Sequence, residues 1–320
     1  MELSVHVEGN INLTWPLWKR HVSDTEQLGY AGLFRCDHFT VEYPDYPNVL
    51  ELIVSLAYAA DHSERVHIGS LVAPLSFRDP VLLAFQAAAL DDLSGGRMIL
   101  GVSTGWMDRE HTMFGYDLGD LPTRFARLEE GLEVITRLFR SAEPVTYSGR
   151  FYQLRDAMLR PLPQRFGGPK LLLGGVGVRR TLPLVARYAD IWNAFHITAD
   201  EFQERSARLD QMVEEAGRQA RDVKRSLLNP VVCGRNDAEL ERSAAYFRTV
   251  IPNGKDMPIE NLLAALRQEL GAIIGSPQQV VEQMRAYADA GVEEIMMQCY
   301  DVTDFDGVHL VAREVLPHVS

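Results

Sequence analysis

The sequence predicts an α/β chain of the (β/α)8 TIM-barrel class with insertions, and three observations carry that prediction. Short β-rich runs alternate with helical patterns along the whole chain, the runs number eight, and several are continuously apolar, such as KLLL at 170–173 and IMMQ at 295–298. Runs of that kind suit parallel strands covered on both faces. Eight strand–helix alternations favour a closed barrel over an open doubly wound sheet, which shares the alternation. At 320 residues the chain exceeds the usual domain size, yet barrels of this length fold as one unit, so the expectation is a single domain.

The predicted strands cover 3–8, 32–36, 66–73, 98–103, 170–173, 191–195, 227–233 and 294–298. From Thr123 onward, Phe125, Leu128, Leu132, Ile135 and Leu138 recur at helical spacing, which predicts a helix packed on the barrel exterior. Thr198 with Glu201, and Ser276 with Gln279, fit the capping box: a hydroxyl at the cap and an acid or amide three residues later. Pro277 falls at the first helical position, where a missing N–H costs nothing. Two stretches interrupt the alternation. The segment 144–168, with VTYSGRFYQL, reads as a hairpin insertion, and 251–275, broken by Pro252, Asn253, Gly254 and Pro258, as a partly helical one.

With 46% hydrophobic and 24% charged residues the composition is that of an ordinary globular protein. A net charge of −12 argues against a nucleic-acid partner, although a few arginines and backbone amides suffice to hold a small anion. Cys36, Cys233 and Cys299 are odd in number and far apart, so no disulfide framework is expected and a reducing cytoplasm is the default. The opening MELSVHVEGN reads as a strand rather than a leader, and no apolar run is long enough for a bilayer. The nine histidines are scattered without HxH or HExxH spacing, and no GxSxG elbow occurs. No metal is expected, and hydrolase chemistry is disfavoured.

In a barrel the functional groups gather at the C-terminal ends of the strands. The run LLLGGVGVRRT ends a strand in glycines and enters a helix. The backbone of Gly174, Gly175, Val176, Gly177 and Val178, with Arg179 and Arg180 following, is suited to a phosphate; a ligand-free tight turn is the competing reading. The run RCDHF places Asp37 and His38 past the second strand, pointing to opposite faces. His38 there can move a proton or orient a ligand; otherwise Asp37 caps and His38 packs. In IGSLVAPLSFRDP, Gly69 and Ser70 allow close approach of a flat ring and Leu71 and Val72 form an apolar shelf, unless this is a plain inner strand. In LGVSTGWMDREH, Ser103, Thr104 and Gly105 offer hydroxyls and amides, and Trp106 can cover a pocket. Glu110 and His111 share a helical turn, as an acid–base pair or as an ordinary exposed one.

The order GYAGLFRCDHF, VHIGSLVAPLSFRDP, LDDLSGGRMILGVSTGW, KLLLGGVGVRRTLPLVARYADIWN and GSPQQVVEQMRAYADAGVEEIMMQ spans nearly the whole chain. It resembles the luciferase-like monooxygenase superfamily, the bacterial luciferase-like flavin- and deazaflavin-dependent oxidoreductases. The resemblance implies a barrel whose mouth takes FMN or the deazaflavin coenzyme F-420. It implies a non-proline cis peptide on the third strand behind the ring, at Leu71–Val72 or the neighbouring Ser70–Leu71. The cofactor phosphate is implied on Gly174, Gly175, Val176, Gly177 and Val178, with Arg179 near the anionic tail. Ser103, Thr104 and Gly105 match positions beside the ring or its side chain, and Asp37 and His38 match residues near it.

A sugar-phosphate dehydrogenase branch of that family carries a glutamate proton donor where this chain has Trp106, so a sugar-phosphate substrate is not implied. The wording FRCDH, RRTLPLVARYAD and QCYDVTDFDGVHLVAREVLP looks closest to deazaflavin-dependent members. The resulting expectation is hydride transfer between coenzyme F-420 and a small organic substrate, with His38 transferring the proton and Trp106 shaping the substrate side. The alternatives are an FMN monooxygenase using reduced flavin and oxygen with a separate reductase, and a non-catalytic flavin-binding barrel. The resemblance also implies a homodimer.

Overall fold

The computed structural model describes residues 1–42, 47–165 and 167–319. Its strands, in chain order, are β1 (Glu2–Val7), β2 (Gly32–Arg35), β3 (His67–Pro74), β4 (Met98–Ser103), β5 (Val145–Ser148), β6 (Gln153–Ala157), β7 (Lys170–Gly174), β8 (Ile191–Phe195), β9 (Lys224–Cys233), β10 (Ile273–Gly275) and β11 (Glu294–Cys299). The helices are α1 (Trp15–Leu28), α2 (Leu52–Asp61), α3 (Pro80–Leu93), α4 (Asp108–Phe114), α5 (Leu121–Arg140), α6 (Thr181–Tyr188), α7 (Ala199–Glu215), α8 (Asp237–Ala244), α9 (Phe247–Val250), α10 (Ile259–Leu270), α11 (Pro277–Asp289), α12 (Phe305–Glu314) and α13 (Leu316–Val319).

Eight strands run parallel in the order β1-β2-β3-β4-β7-β8-β9-β11, and β11 pairs back to β1, which closes a (β/α)8 barrel. Each predicted strand supplies one stave. The two capping boxes form as expected at the starts of α7 and α11. The stretch 145–157 is the antiparallel pair β5–β6; of the predicted insertion, residue 166 lies outside the described residues.

The alternation of side chains along each strand sorts the residues into two layers. Leu3, Val5 and Val7 of β1 join the large apolar layer between barrel and helices, leaving Ser4 and His6 on the inner face. Inside, Phe34, Leu71, Ile99, Leu172, Ile191 and Met296 form a separate apolar plug. Two glycines make room for it: a Cβ at Gly32 or Gly69 would come within 2.7 or 2.8 Å of the Phe34 ring. Below the plug, at the N-terminal ends of the strands, Lys224 donates to Glu294 at 2.7 Å and to Glu2, while Ser4 Oγ donates to the other oxygen of Glu294 at 2.5 Å.

One strand was not foreseen. β10 lies outside the barrel and pairs with the upper part of β9, Ile273 opposite Val231 and Gly275 opposite Cys233. Together with α8, α9 and α10 it builds an annex with its own apolar cluster, including Val232, Phe247, Ile251, Leu262, Leu266 and Ile274.

Candidate active site

The rim at the C-terminal strand ends gathers the predicted residues. The peptide bond Leu71–Val72 is cis and the β3–β4 register shifts between Ser70 and Ala73. Ser70 does not face the mouth freely: its buried Oγ donates to Gly101 O at 2.8 Å and accepts from Gly101 N at 3.0 Å, tying β3 to β4 across the irregularity. From β1, two staves away, His6 Nε2 donates to Leu71 O at 3.1 Å. Burial holds the His6 pKa below the ordinary histidine value, so the ring is neutral with its proton on Nε2. A Cβ at Gly174 would lie 3.7 Å from Val72 Cγ1, so the ends of β3 and β7 are neighbours on one rim.

The loop after β7 is built to leave amides free. Gly175 N donates to Asn193 O at 2.9 Å, and the buried Trp192 indole donates to Gly175 O at 2.7 Å. These two bonds pin the start of the loop. Gly175 has φ +137 and a Cβ there would strike Thr181 Cγ2 at 2.9 Å, so the close packing of loop on helix requires glycine. The cap position of α6, Arg180, makes no side-chain cap hydrogen bond. Thr181 N and Leu182 N both donate to Gly177 O, at 2.9 and 3.1 Å, and Pro183 has no N–H, so an anion here would be held by amides of the loop before α6 rather than by those of the helix itself. Arg179 is exposed, and the Arg180 guanidinium lies over the Phe125 ring at 5.5 Å. A tight loop of this kind, with glycine required at position 175 and its following amides at the rim, fits the phosphate of a flavin-type cofactor.

Asp37 and His38 point to different partners. Asp37 is 2% exposed and both oxygens accept from Arg78, at 2.6 and 2.7 Å. Arg78 also meets Glu51 at 2.8 Å. Burial pushes the Asp37 carboxyl up, and the Arg78 fork opposes that rise. Its oxygens are thus committed to holding the loops after β2 and β3 together.

His38 sits between two groups from the segment after β4. Its Nδ1 donates to Glu110 Oε2 at 3.1 Å, and its Nε2 accepts from the Trp106 indole at 3.3 Å. Glu110 is held in turn by Phe39 N, which donates to Oε1 at 2.6 Å. Burial alone would lower the His38 pKa, but the hydrogen bond and charge of Glu110 carry it above the ordinary value. Glu110 and His111 do not form an exposed pair: they are 1% and 2% exposed, because α4 turns both inward. His111 Nδ1 donates to Met107 O at 2.8 Å and Nε2 accepts from Ser76 Oγ at 2.7 Å. Of the other loop residues, Ser103 Oγ accepts from Gly105 N at 3.3 Å and Thr104 Oγ1 donates to Gly105 O at 3.2 Å. Gly105 has φ +75 and its own carbonyl accepts from Arg124 at 3.0 Å.

Sequence reasoning missed a second polar chain on the same rim. Gln298 donates to Glu8 Oε1 at 2.6 Å and accepts from His196 Nε2 at 3.0 Å, with the Tyr300 hydroxyl 3.1 Å from its amide nitrogen. The signal was available in and just after β1, where Ser4, His6 and Glu8 alternate with the apolar Leu3, Val5 and Val7. Among the described residues no group of three or more His, Cys, Asp or Glu is arranged to hold a metal ion. No helix among them is long and apolar enough to cross a membrane.

Comparison with known proteins gives concordant findings. A family model described as luciferase-like monooxygenase matches residues 14–294. An F420-dependent glucose-6-phosphate dehydrogenase from Intrasporangium calvum is 27% identical over 297 residues, covering 87% of this chain and 86% of that protein. Limonene 1,2-monooxygenase from Rhodococcus erythropolis is 26% identical over 331 residues, covering 93% and 80%. Among solved structures, an F420-dependent secondary alcohol dehydrogenase in complex with an F420-acetone adduct superposes with a TM-score of 0.81 at 17% identity, with 100% of both chains covered. That last likeness is one of fold.

Proposed function

The chain belongs to the luciferase-like monooxygenase family, and from that premise we propose that it transfers hydride between coenzyme F-420 and a small organic substrate at the barrel rim. The observation that supports the reading best is His38, held by the buried Glu110, on the same rim as the glycine loop with its open amides. The similarity to F420-dependent dehydrogenases along most of the chain favours the deazaflavin.

When bound, the deazaflavin supplies the hydride acceptor or donor. The protein's own groups do the rest. Past the turn made by Gly174 and Gly175, where the Gly175 amide is committed to Asn193 O, the amides of Val176, Gly177 and Val178 would hold the phosphate, with Arg179 beside the anionic tail, and Leu71 and Val72 would back the ring. Ser103, Thr104 and Gly105 would line its edge, and Asp37 and Ser70 act by fixing the loops that do so. His38 takes or gives a proton at Nε2, while Glu110 orients the ring and stabilises its charged form, the division of labour seen wherever a carboxylate holds a catalytic imidazole. Trp106 excludes water on the substrate side.

Titration of the purified protein with F-420 and with FMN, followed by fluorescence, tests the cofactor. We expect F-420 to bind in the micromolar range or tighter and FMN weakly. Preferential binding of FMN would favour a monooxygenase fed by a reductase, the reading that the limonene 1,2-monooxygenase similarity supports, and binding of ligand without turnover would favour a carrier. The free cysteines suit a reducing cytoplasm. The outer faces of α2 and α3 leave Val54, Leu82, Phe85 and Leu93 40–58% exposed, which supports a homodimer through that patch. Light scattering of Leu82→Glu against the parent chain tests it: a parent already monomeric ends the proposal.

A further inference from the structure

We propose that Trp106 is the substrate gate of this site, its indole N–H occupying the one lone pair of His38 through which a substrate hydroxyl enters. A neutral imidazole has one N–H and one lone pair. The N–H is committed to Glu110 Oε2, and Glu110 is fixed through its other oxygen by Phe39 N. Exchanging the two roles of the ring would leave a buried carboxylate facing a lone pair, so the lone pair stays on Nε2. The indole nitrogen of Trp106 reaches it at 3.3 Å, with the two rings edge to face at 5.6 Å between centroids.

An indole only donates. The contact therefore exists only while Nε2 is unprotonated; a proton there puts two N–H groups against each other and the bond is lost. Trp106 is free to leave, being 52% exposed, so water takes over its N–H at little cost. The group that replaces it must also be a donor to neutral His38, as an alcohol is, or an acceptor from charged His38, as a carbonyl is. Beside Trp106, the rim also exposes Phe195 at 38%, so the substrate class is a small alcohol or carbonyl compound with an apolar body.

The charged and titratable groups facing His38 among the described residues are Glu110 on α4, Glu8 and His6 at the end of β1, and Asp37 beside it, which Arg78 neutralises. The carboxylates favour the charged ring and more than offset its burial. The gate accordingly opens as pH falls through a value above about 6.5, the ordinary histidine pKa, and closes above it.

The inference rests on His38 as the proton-transfer group, but its decisive test needs neither cofactor nor substrate. In protein labelled with 15N on tryptophan, the chain's four indoles give separate N–H signals, and Trp106→Phe identifies that of Trp106. We expect this signal to titrate with a midpoint above 6.5 and to lose its hydrogen-bond shift on the acid side. Glu110→Gln should lower the midpoint by about one pH unit. Trp18 and Trp192, whose indoles donate to Ser55 O and Gly175 O, should not move. A Trp106 signal that stays flat from about pH 5 to 9 while His38 itself titrates, or that titrates unchanged in His38→Gln, overturns the gate. In turnover, Trp106→Phe should lower KM for an alcohol about fivefold, because one hydrogen bond no longer competes for Nε2; a raised KM contradicts the proposal. Failure of F-420 binding would remove the cofactor reading and leave the indole titration standing.

Discussion

At the lower end of the barrel Lys224 lies between Glu294 and Glu2, and Ser4 fills the remaining oxygen of Glu294. At the upper end His38 lies between Glu110 and Trp106. Both clusters bury charge among strands and loops distant in sequence, yet they differ in what is left over. Below, partners come from adjoining staves of a rigid sheet and oppose full charges to full charges. Above, one of the two partners of His38 is a neutral, half-exposed side chain that water or a ligand can replace. The lower cluster is therefore a seal and the upper one a socket, and the difference lies in the replaceability of one donor.

Four substitutions or conditions would break or sharpen this contrast. His38→Ala should have the largest effect, lowering turnover by about a hundredfold to a thousandfold with the cofactor Kd changed less than about twofold. Steady-state kinetics beside a binding titration checks it, and full activity would remove His38 from the chemistry. Lys224→Met leaves Glu294 buried with only Ser4 and should cost about 3 kcal/mol of stability, read from urea denaturation. If the rim's ligand affinity fell in parallel, the two ends would not be independent.

A third histidine tests the same logic from the opposite direction. His21, packed at a tilt against the Phe305 ring and hydrogen-bonded to Val302 O at 2.9 Å, is pushed by burial down to about 4. Its folded pKa lies below the unfolded one, so the unfolded chain binds more protons on acidification. Its contribution is complete above about 6.5 and should shrink by roughly 2 kcal/mol between pH 7 and pH 5. Denaturation midpoints across that range, with His21→Gln as the flat control, measure it. Gly175→Ala should have the smallest effect of the four, concentrated on the loop after β7. The added Cβ meets Thr181 and should weaken cofactor binding about tenfold; an unchanged Kd would dissociate the loop from the phosphate.

The barrel was legible because each stave carries its own signal: an apolar run, a helix cap, a glycine at the turn. The glycine loop after β7 was legible for the same reason, since its glycines, the start of α6 and the arginines are contiguous. The His38–Glu110 pair was not, because 72 positions separate its members and only the inward turn of α4 joins them. On sequence alone Glu110 and His111 read as readily as surface residues as buried ones. β10 escaped for a different reason. Its three residues, Ile273–Gly275, are too few to show a period, and they draw their pairing from β9 rather than from neighbours in the chain.

That short pairing has a consequence for how the molecule breathes. β9 bonds to β8 and β11 through residues 224–230 and to β10 through 231–233, so its amides fall into two sets with different guardians. The annex can lift from the upper set while every stave of the closed ring stays bonded, and amide exchange along this one strand should step from slow to fast near Pro230. A protein so divided can renew or exchange the surface beside its mouth without ever opening its barrel.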